Sequence, residues 1–352
     1  MNGVIKSIDE NDVQIRLNIE GANNKFCFES NDGLKYAKFG KVRDIMAEVV
    51  ASNILETIGV DTAHYDFLRS YKGGNSRAGT VSDDYSKGYD YRITLADMLE
   101  KVGGLNSANT ISHIYASVPT AVSAVTKFCN SKKAIHYSRS KENEIHDKLA
   151  IMSIVDYFIC NGDHHTKNTE FLIKNNKDNS SSIDLSPVFD LGNSFRSADT
   201  RLALTLDDFE NSSKQSLTET YANGIVDYFN ASNGDLQDNP AFEAMCKLLD
   251  VNIESIIYST MLRAVGKYDY KGQVFSKDNF EELLSGILPE FNEKLGAELD
   301  MNVLYEIVES YNERRQCLLD KVLDNEKLHD SYMQLTTVAD NCVEQSLEWC
   351  HR

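Results

Sequence analysis

Apolar and polar residues alternate over short segments in the first forty positions of the chain, and a period of two predicts β-strands. The segments are 13–17, 25–28 and 35–39. Two turn-rich pieces, 20–24 and 30–33, separate them. We therefore predict an antiparallel meander at the start of the chain.

The pattern then changes to a helical period over residues 44–58, with apolar side chains near one face and Gly59 as the stop at the C-terminal end. Two further β-type segments follow, 63–71 and 77–82, joined by the turn sequence Gly73-Gly-Asn-Ser76. This arrangement predicts a β-hairpin.

The remainder of the chain is mostly helical in pattern. Strands are predicted only at 171–173 and 183–189. The predicted helices are 94–102, 109–129, 142–160, 241–248, 252–266, 277–296, 300–323 and 338–349. Residues 196–240 contain several turn-rich segments and carry no clear prediction.

This order of elements predicts an α+β fold with two lobes. A small β-rich N-lobe, residues 1–82, would precede a large, mainly helical C-lobe, residues 83–352. A cleft between two such lobes is the expected place for a binding site.

The composition agrees with a globular protein: 352 residues, of which 41% are hydrophobic and 26% charged. No apolar run approaches the roughly 20 residues that span a bilayer, and the first residues carry no signal-peptide pattern. The seven cysteines form no CxxC pair. We expect reduced thiols and a cytoplasmic location.

The formal net charge of −18 also argues against some classes of function. A surface this acidic argues against direct nucleic-acid binding through phosphate contacts, and it opposes binding to anionic membranes. An acidic surface is compatible with a basic partner or substrate.

The residues that are candidates for catalysis and metal binding are concentrated in positions 161–192. Asp163 stands five residues before Asn168, and a second carboxylate, Asp190, lies close to Gly192. Phosphoryl transfer from a metal-bound nucleotide needs such a set, because one carboxylate orients the attacking hydroxyl and two oxygen ligands hold Mg²⁺ against the phosphates. The motif predicts metal-assisted phosphate chemistry.

These residues resemble the catalytic motifs of the HipA-like kinases, a branch of the protein-kinase-like fold that includes bacterial toxin serine/threonine kinases. The family's Asp-x-His-x-Lys-Asn loop is matched by Asp163, His165, Lys167 and Asn168, and its Pro-x-Tyr/Phe-Asp segment by 187–190. Phosphatidylinositol kinases share a looser form of the loop.

The resemblance implies ATP and Mg²⁺ as cofactors and gives each residue a role. Asp163 would orient the substrate hydroxyl, and Asn168 and Asp190 would bind Mg²⁺. Lys167 would neutralise the γ-phosphate, and His165 would brace the loop.

Upstream, the resemblance predicts the nucleotide-binding residues. Gly21 and Lys25 fit a Gly-x-x-x-Lys phosphate turn, and Lys38 would reach the α- and β-phosphates with Glu48 as its partner. The adenine hinge would run over 81–84, with Val81 and Asp83 as the predicted contacts. About 20 residues precede the turn, which resembles the shorter members of the family.

The implied activity is transfer of the γ-phosphate to a serine or threonine of a protein. An antitoxin or regulatory protein as partner, and a toxin or effector role, follow from the resemblance alone. Other activities remain as alternatives: a phosphatidylinositol-type or small-molecule kinase, a nucleotide-binding pseudokinase, or a metal-dependent phosphoesterase, since residues 163–165 spell the Asp-His-His triplet of one phosphoesterase family.

Overall fold

The structure is a computed structural model. It describes residues 3–10, 15–19, 25–102, 118–132, 134–161, 165–196, 217–232, 234–267 and 277–336, with backbone only for 15–19, 217, 277 and 278. Two of the predicted site residues, Asp163 and Gly21, lie outside the described residues.

The first part of the chain folds into a six-stranded sheet of order β1-β5-β6-β4-β3-β2. Its strands are β1 (Ile5–Asp9), β2 (Ile15–Ile19), β3 (Lys25–Ser30), β4 (Gly33–Phe39), β5 (Tyr65–Lys72) and β6 (Asn75–Asp83). All neighbours pair antiparallel except β1, which runs parallel to β5. The predicted meander and hairpin are therefore present.

Helix α1 (Val42–Thr57) connects β4 to β5 and packs one face against this sheet. Its end follows the sequence signal, because Gly59 takes a left-handed backbone (φ 80°). The N–H of Gly59 donates to Glu56 O and that of Val60 to Leu55 O, which is the hydrogen-bond pattern of a Schellman motif. This turn satisfies the last carbonyls of α1 and directs the chain back to the sheet.

The C-terminal part is mainly helical, and it carries a second sheet of order β7-β8-β9. Its strands are β7 (Tyr91–Thr94), β8 (Glu170–Asn175) and β9 (Ser181–Leu185). The helices are α2 (Leu95–Lys101), α3 (Val118–Ser131), α4 (Arg139–Ile159), α5 (Leu217–Ala231), α6 (Pro240–Asp250), α7 (Ile253–Ala264), α8 (Lys277–Leu295) and α9 (Met301–Asp324). Residues 326–336 are also helical.

Several elements differ from the sequence prediction. Strands β1 and β7 were not predicted, because both are short and gain their hydrogen bonds from partners distant in the chain, β5 and β8. Helix α5 falls in the stretch that carried no clear pattern. The predicted helix 338–349 lies outside the described residues.

A continuous core joins the two parts of the molecule. Phe67 of β5 meets Phe291 of α8 edge to face, with ring centroids 5.1 Å apart. Asn53 of α1 donates to the hydroxyl of Thr260 on α7 at 2.8 Å. The α+β, two-part architecture is confirmed, whereas the exact division at residue 82 stays a prediction.

No helix among the described residues is long and apolar enough to cross a membrane.

We expect Phe291→Ala to destabilise the protein by about 3–5 kcal/mol, because it removes a fully buried ring and leaves a cavity against Phe67. Denaturant unfolding would measure the change. Leu323→Ala is the control, since that side chain is 45% exposed and should change stability far less. Equal losses for the two variants would contradict the packing described here.

Candidate active site

A cavity of about 340 Å³ lies between the N-terminal sheet and the second sheet. One wall comes from β3, β4, α1 and β6, and the other from the segment after residue 165 and from residues 189–190. Its lining residues are Lys25, Tyr36, Ala37, Lys38, Glu48, Tyr65, Thr80, Ser82, Tyr85, Arg92, Lys167, Asn168, Glu170, Phe189 and Asp190. Charged and aromatic side chains dominate this cleft, as expected for a site that binds a polar ligand.

Lys38 joins the two walls of the cavity. Its ammonium nitrogen lies 2.8 Å from Glu48 Oε1 on α1 and 2.5 Å from Asp190 Oδ1 on the opposite wall. Thr80, its register partner on β6, donates from its hydroxyl to the other oxygen of Glu48 at 2.7 Å. Glu48 is therefore fully engaged, and its side chain is only 2% exposed.

The charges in this group stabilise one another. Burial by itself would lower the pKa of Lys38, but the carboxylates of Glu48 and Asp190 outweigh it and raise that pKa above its ordinary value. Burial would likewise raise the pKa of Asp190, but Lys38 and Lys25 hold it below its ordinary value. Lys38 and Asp190 therefore both stay charged at neutral pH.

The backbone around Asp190 is unusual. Asp190 adopts a left-handed conformation (φ 59°), which is strained for a residue with a side chain. Its N–H donates to the hydroxyl of Tyr65 at 3.1 Å, and Lys25 reaches its second carboxylate oxygen at 3.3 Å. Two residues on, a Cβ at Gly192 would lie 3.0 Å from the ammonium of Lys38, so the glycine allows this close approach. Contacts from the N-terminal sheet therefore hold this strained backbone in place.

The loop that carries the Asp-x-His-x-Lys-Asn motif begins where α4 ends. Cys160 is the C-cap of this helix and has a left-handed conformation (φ 48°). Beyond Asp163, the ring of His165 accepts a hydrogen bond from the N–H of Lys167 at 3.2 Å, and its carbonyl accepts from the N–H of Asn168 at 2.8 Å. His165 thus holds the bend that presents Lys167 and Asn168 to the cavity.

A second set of charged residues connects α1 to the chain after Asp190. Arg196 lies 2.7 Å from Asp44, in the first turn of α1. Arg43 donates to the carbonyl of Ser194 at 3.1 Å. These bonds hold the helix that carries Glu48 against the segment that carries Asp190.

Two of the residues predicted for the adenine hinge, Val81 and Asp83, are not among the residues that line the cavity. The side chain of Val81 does not line the cavity but packs with Phe26 and Phe39 on the outer face of the sheet. Asp83 is exposed and pairs with Lys35. The reason is strand alternation: Thr80 and Ser82 face the cleft, so Val81 between them faces away. A contact of Val81 with a nucleotide would have to come from its backbone.

Four further aromatic and charged residues that line the cavity were not predicted from the sequence: Tyr85, Arg92, Glu170 and Phe189. Tyr85 stacks on Phe189 with centroids 5.2 Å apart, and its hydroxyl donates to Glu170 at 2.8 Å. Arg92 lies 3.6 Å from the same carboxylate. A signal was present for two of them, because Phe189 precedes Asp190 and Glu170 follows Asn168 by two positions.

The described residues contain no group of three or more His, Cys, Asp or Glu side chains arranged to hold a metal by themselves. Asn168 and Asp190 nevertheless line one cavity and offer an amide oxygen and a carboxylate. That donor set fits Mg²⁺, which binds few protein oxygens and completes its shell with water and phosphate.

Fold and cleft together define a two-lobed, kinase-like protein, with an N-terminal sheet, a helical C-terminal part and a polar cavity between them. Residues 17–265 match the model of the HipA-like C-terminal domain. This match covers more than half of the chain, so the chain belongs to the HipA-like family.

One solved structure supports the fold. The crystal structure of the Helicobacter pylori proinflammatory kinase CtkA is similar, with a TM-score of 0.50 and 14% sequence identity over 94% of this chain and 100% of that chain. HipA of Shewanella oneidensis, solved with HipB and operator DNA, has a TM-score of 0.43 and 13% identity over 84% of this chain and 67% of that chain. Curated proteins gave no match. At such low identity the likeness to CtkA supports the fold alone.

We expect Tyr65→Phe to cost about 1–3 kcal/mol of stability, because the buried N–H of Asp190 loses its acceptor. Tyr71→Phe is the matched control on the same strand, since Tyr71 lies away from the cavity lining. Denaturant unfolding of both variants measures the difference. If Tyr65→Phe and Tyr71→Phe have the same free energy of unfolding, the hydroxyl of Tyr65 does not stabilise the backbone of Asp190.

The ion pairs of Asp190 predict a pH dependence of stability. Because its pKa is lowered in the folded state, its contribution is complete above the ordinary carboxyl pKa of about 4 and is lost as the pH falls through the lowered value. The free energy of unfolding of wild type minus that of Asp190→Asn should therefore be largest near neutral pH and shrink in acid. A difference that is constant from pH 7 to pH 3 would contradict this.

Proposed function

We propose that the protein is an ATP- and Mg²⁺-dependent kinase that transfers the γ-phosphate to a serine or threonine of a protein. One observation carries the proposal: Lys38 bridges Glu48 and Asp190 in the same cavity that Lys167 and Asn168 line. Membership of the HipA-like family agrees with it.

The positive groups of the cavity suit the triphosphate. Lys38 and Lys25 approach Asp190 from the N-terminal sheet, and both would be shared with phosphate oxygens once a nucleotide enters. Lys167 enters from the opposite wall, where a fixed cation would neutralise charge on the transferred group. Positioned cations are effective here because the transition state is loose and its charge is spread over the phosphoryl oxygens.

Asn168 and Asp190 would hold Mg²⁺, which supplies charge neutralisation across the phosphates when it is bound. Asp163, immediately upstream, would orient the acceptor hydroxyl and take its proton late in transfer. His165 would act only on the loop, by fixing the backbone of Lys167 and Asn168. These roles divide one reaction between the two walls of the cleft.

The acceptor is proposed to be a protein side chain. The two compared proteins are a proinflammatory kinase and the HipA of a toxin-antitoxin system. A protein acceptor and a regulatory or antitoxin partner are proposed for this chain by family resemblance. The phosphoesterase alternative loses support, because the sheet before residue 161 is antiparallel apart from the β1–β5 pair and lacks the parallel α/β pattern which that chemistry uses.

Transfer of radiolabelled phosphate from ATP tests the proposal. Wild type with Mg²⁺ should label itself or a generic protein acceptor, and Asp163→Asn and Asp190→Asn should each lower the rate by about a hundredfold or more. Lys174→Ala, an exposed lysine on β8, is the control and should retain full activity.

Phosphoamino-acid analysis of the labelled product distinguishes serine or threonine from other acceptors. A wild-type protein that binds no ATP and labels no acceptor would overturn the proposal. Hydrolysis of a phosphodiester with Mn²⁺ in the absence of ATP would instead favour the phosphoesterase alternative.

A further inference from the structure

The C-terminal end of α4 leads directly into the loop that carries Asp163 and Asn168, and a residue of α9 contacts this end. Arg314 donates from its Nη2 to the sulfur of Cys160 at 2.9 Å. In the opposite direction, the hydroxyl of Tyr157 on α4 donates to the main-chain carbonyl of Arg314 at 2.9 Å. One arginine therefore connects the two helices through both its side chain and its backbone.

The guanidinium of Arg314 is a buried cation that contacts neutral acceptors. The side chain is 0% exposed. Its Nη1 donates to the carbonyl and to the hydroxyl of Ser310, one turn earlier on α9, at 2.6 and 2.8 Å, and its Nε has no hydrogen-bond partner. Burial raises the pKa of the Cys160 thiol, so the sulfur is a neutral acceptor. Among the residues that the structure describes, no carboxylate pairs with this guanidinium.

Such a cation is costly for stability. Removing a guanidinium from water carries a large free-energy penalty, and neutral oxygen and sulfur acceptors offset only part of it. An apolar side chain of similar volume would avoid this penalty. Packing therefore does not account for an arginine here, but the geometry of the guanidinium does. Its donors form a fixed fork, which reaches Ser310 on its own helix and Cys160 on α4 at the same time.

Cys160 is the residue at which the loop 161–168 leaves the helix. Its left-handed backbone (φ 48°, ψ 51°) is unfavourable for a residue with a side chain, and it persists only when the surroundings support it. Three peptide units separate Cys160 from Asp163, so their Cα atoms are at most about 11 Å apart. A change in the orientation of Cys160 would therefore be transmitted to the start of the loop.

We propose that Arg314 is a positioning residue for phosphoryl transfer: by holding Cys160, it fixes the direction in which the loop 161–168 leaves α4 and thereby the place of Asp163 beside the acceptor hydroxyl. This inference rests on the proposed function, since it takes Asp163 as the residue that orients that hydroxyl. Arg314 does not line the nucleotide cavity, so its effect reaches the reaction through the loop and not through ATP.

Three measurements on Arg314→Met test the proposal: transfer of radiolabelled phosphate at saturating ATP, ATP affinity by calorimetry, and the free energy of unfolding. Transfer should slow about tenfold or more, because displacing a catalytic group by about 1 Å can cost up to about a hundredfold. ATP affinity should stay near that of wild type, and stability should be equal or higher, since the buried charge is gone. Glu309→Gln, at an exposed position on the same helix, should behave as wild type in all three.

Variants of Cys160 test the same contact while Arg314 stays in place. Cys160→Ala removes the sulfur and should slow transfer, whereas Cys160→Ser keeps an acceptor and should restore part of the rate. If Arg314 acts through Cys160, the variant that combines Arg314→Met with Cys160→Ala should be no slower than the slower of the two single variants.

A wild-type rate in Arg314→Met would overturn the inference and leave the proposed kinase untouched. A loss of rate that is matched by a loss of ATP affinity or of stability would overturn it too, because Arg314 would then have a structural role only. If Arg314→Met does not fold, the Cys160 variants decide, and a wild-type rate in Cys160→Ala overturns the inference. Wild type that transfers phosphate to no acceptor would refute the proposed function itself.

Discussion

The arrangement of the cleft depends on one buried cation, Lys38, shared between two carboxylates. Glu48 comes from the helix behind the N-terminal sheet and Asp190 from the opposite wall, so a single ammonium group holds together elements that are distant in the chain. Burying any one of these charges alone would be costly, and only the mutual pairing offsets that cost. The pairing therefore demands that both walls keep their relative positions.

Other contacts keep the partners of Lys38 in place. The left-handed backbone of Asp190 is supported by the hydroxyl of Tyr65. Helix α1, which carries Glu48, is fixed through Asp44 and Arg196 to the segment that follows Asp190. These contacts connect the two walls of the cleft in addition to the ion pairs of Lys38. Such redundancy is what a strained loop conformation requires in order to persist.

Prediction from sequence succeeded where the signal is local. The alternation of β3 and β4, the helical period of α1 and its glycine stop are patterns within one element, and each was found. It failed where stability comes from partners far along the chain, as in β1 and β7, whose hydrogen bonds come from β5 and β8. The direction in which the Val81 side chain faces likewise depends on the register of β6 against its neighbours, not on the order of residues alone.

By itself the sequence pointed to the family, because the spacing of Asp163, Asn168 and Asp190 with His165 and Lys167 is a property of one short stretch. The family resemblance already paired Lys38 with Glu48, which lies 10 positions away, but only the tertiary structure decided that Lys38 also meets Asp190, 152 positions away. The tertiary structure alone also brought Tyr85, Arg92 and Glu170 together. Their convergence requires β7 to pair with β8, and no local pattern encodes a contact between segments so far apart.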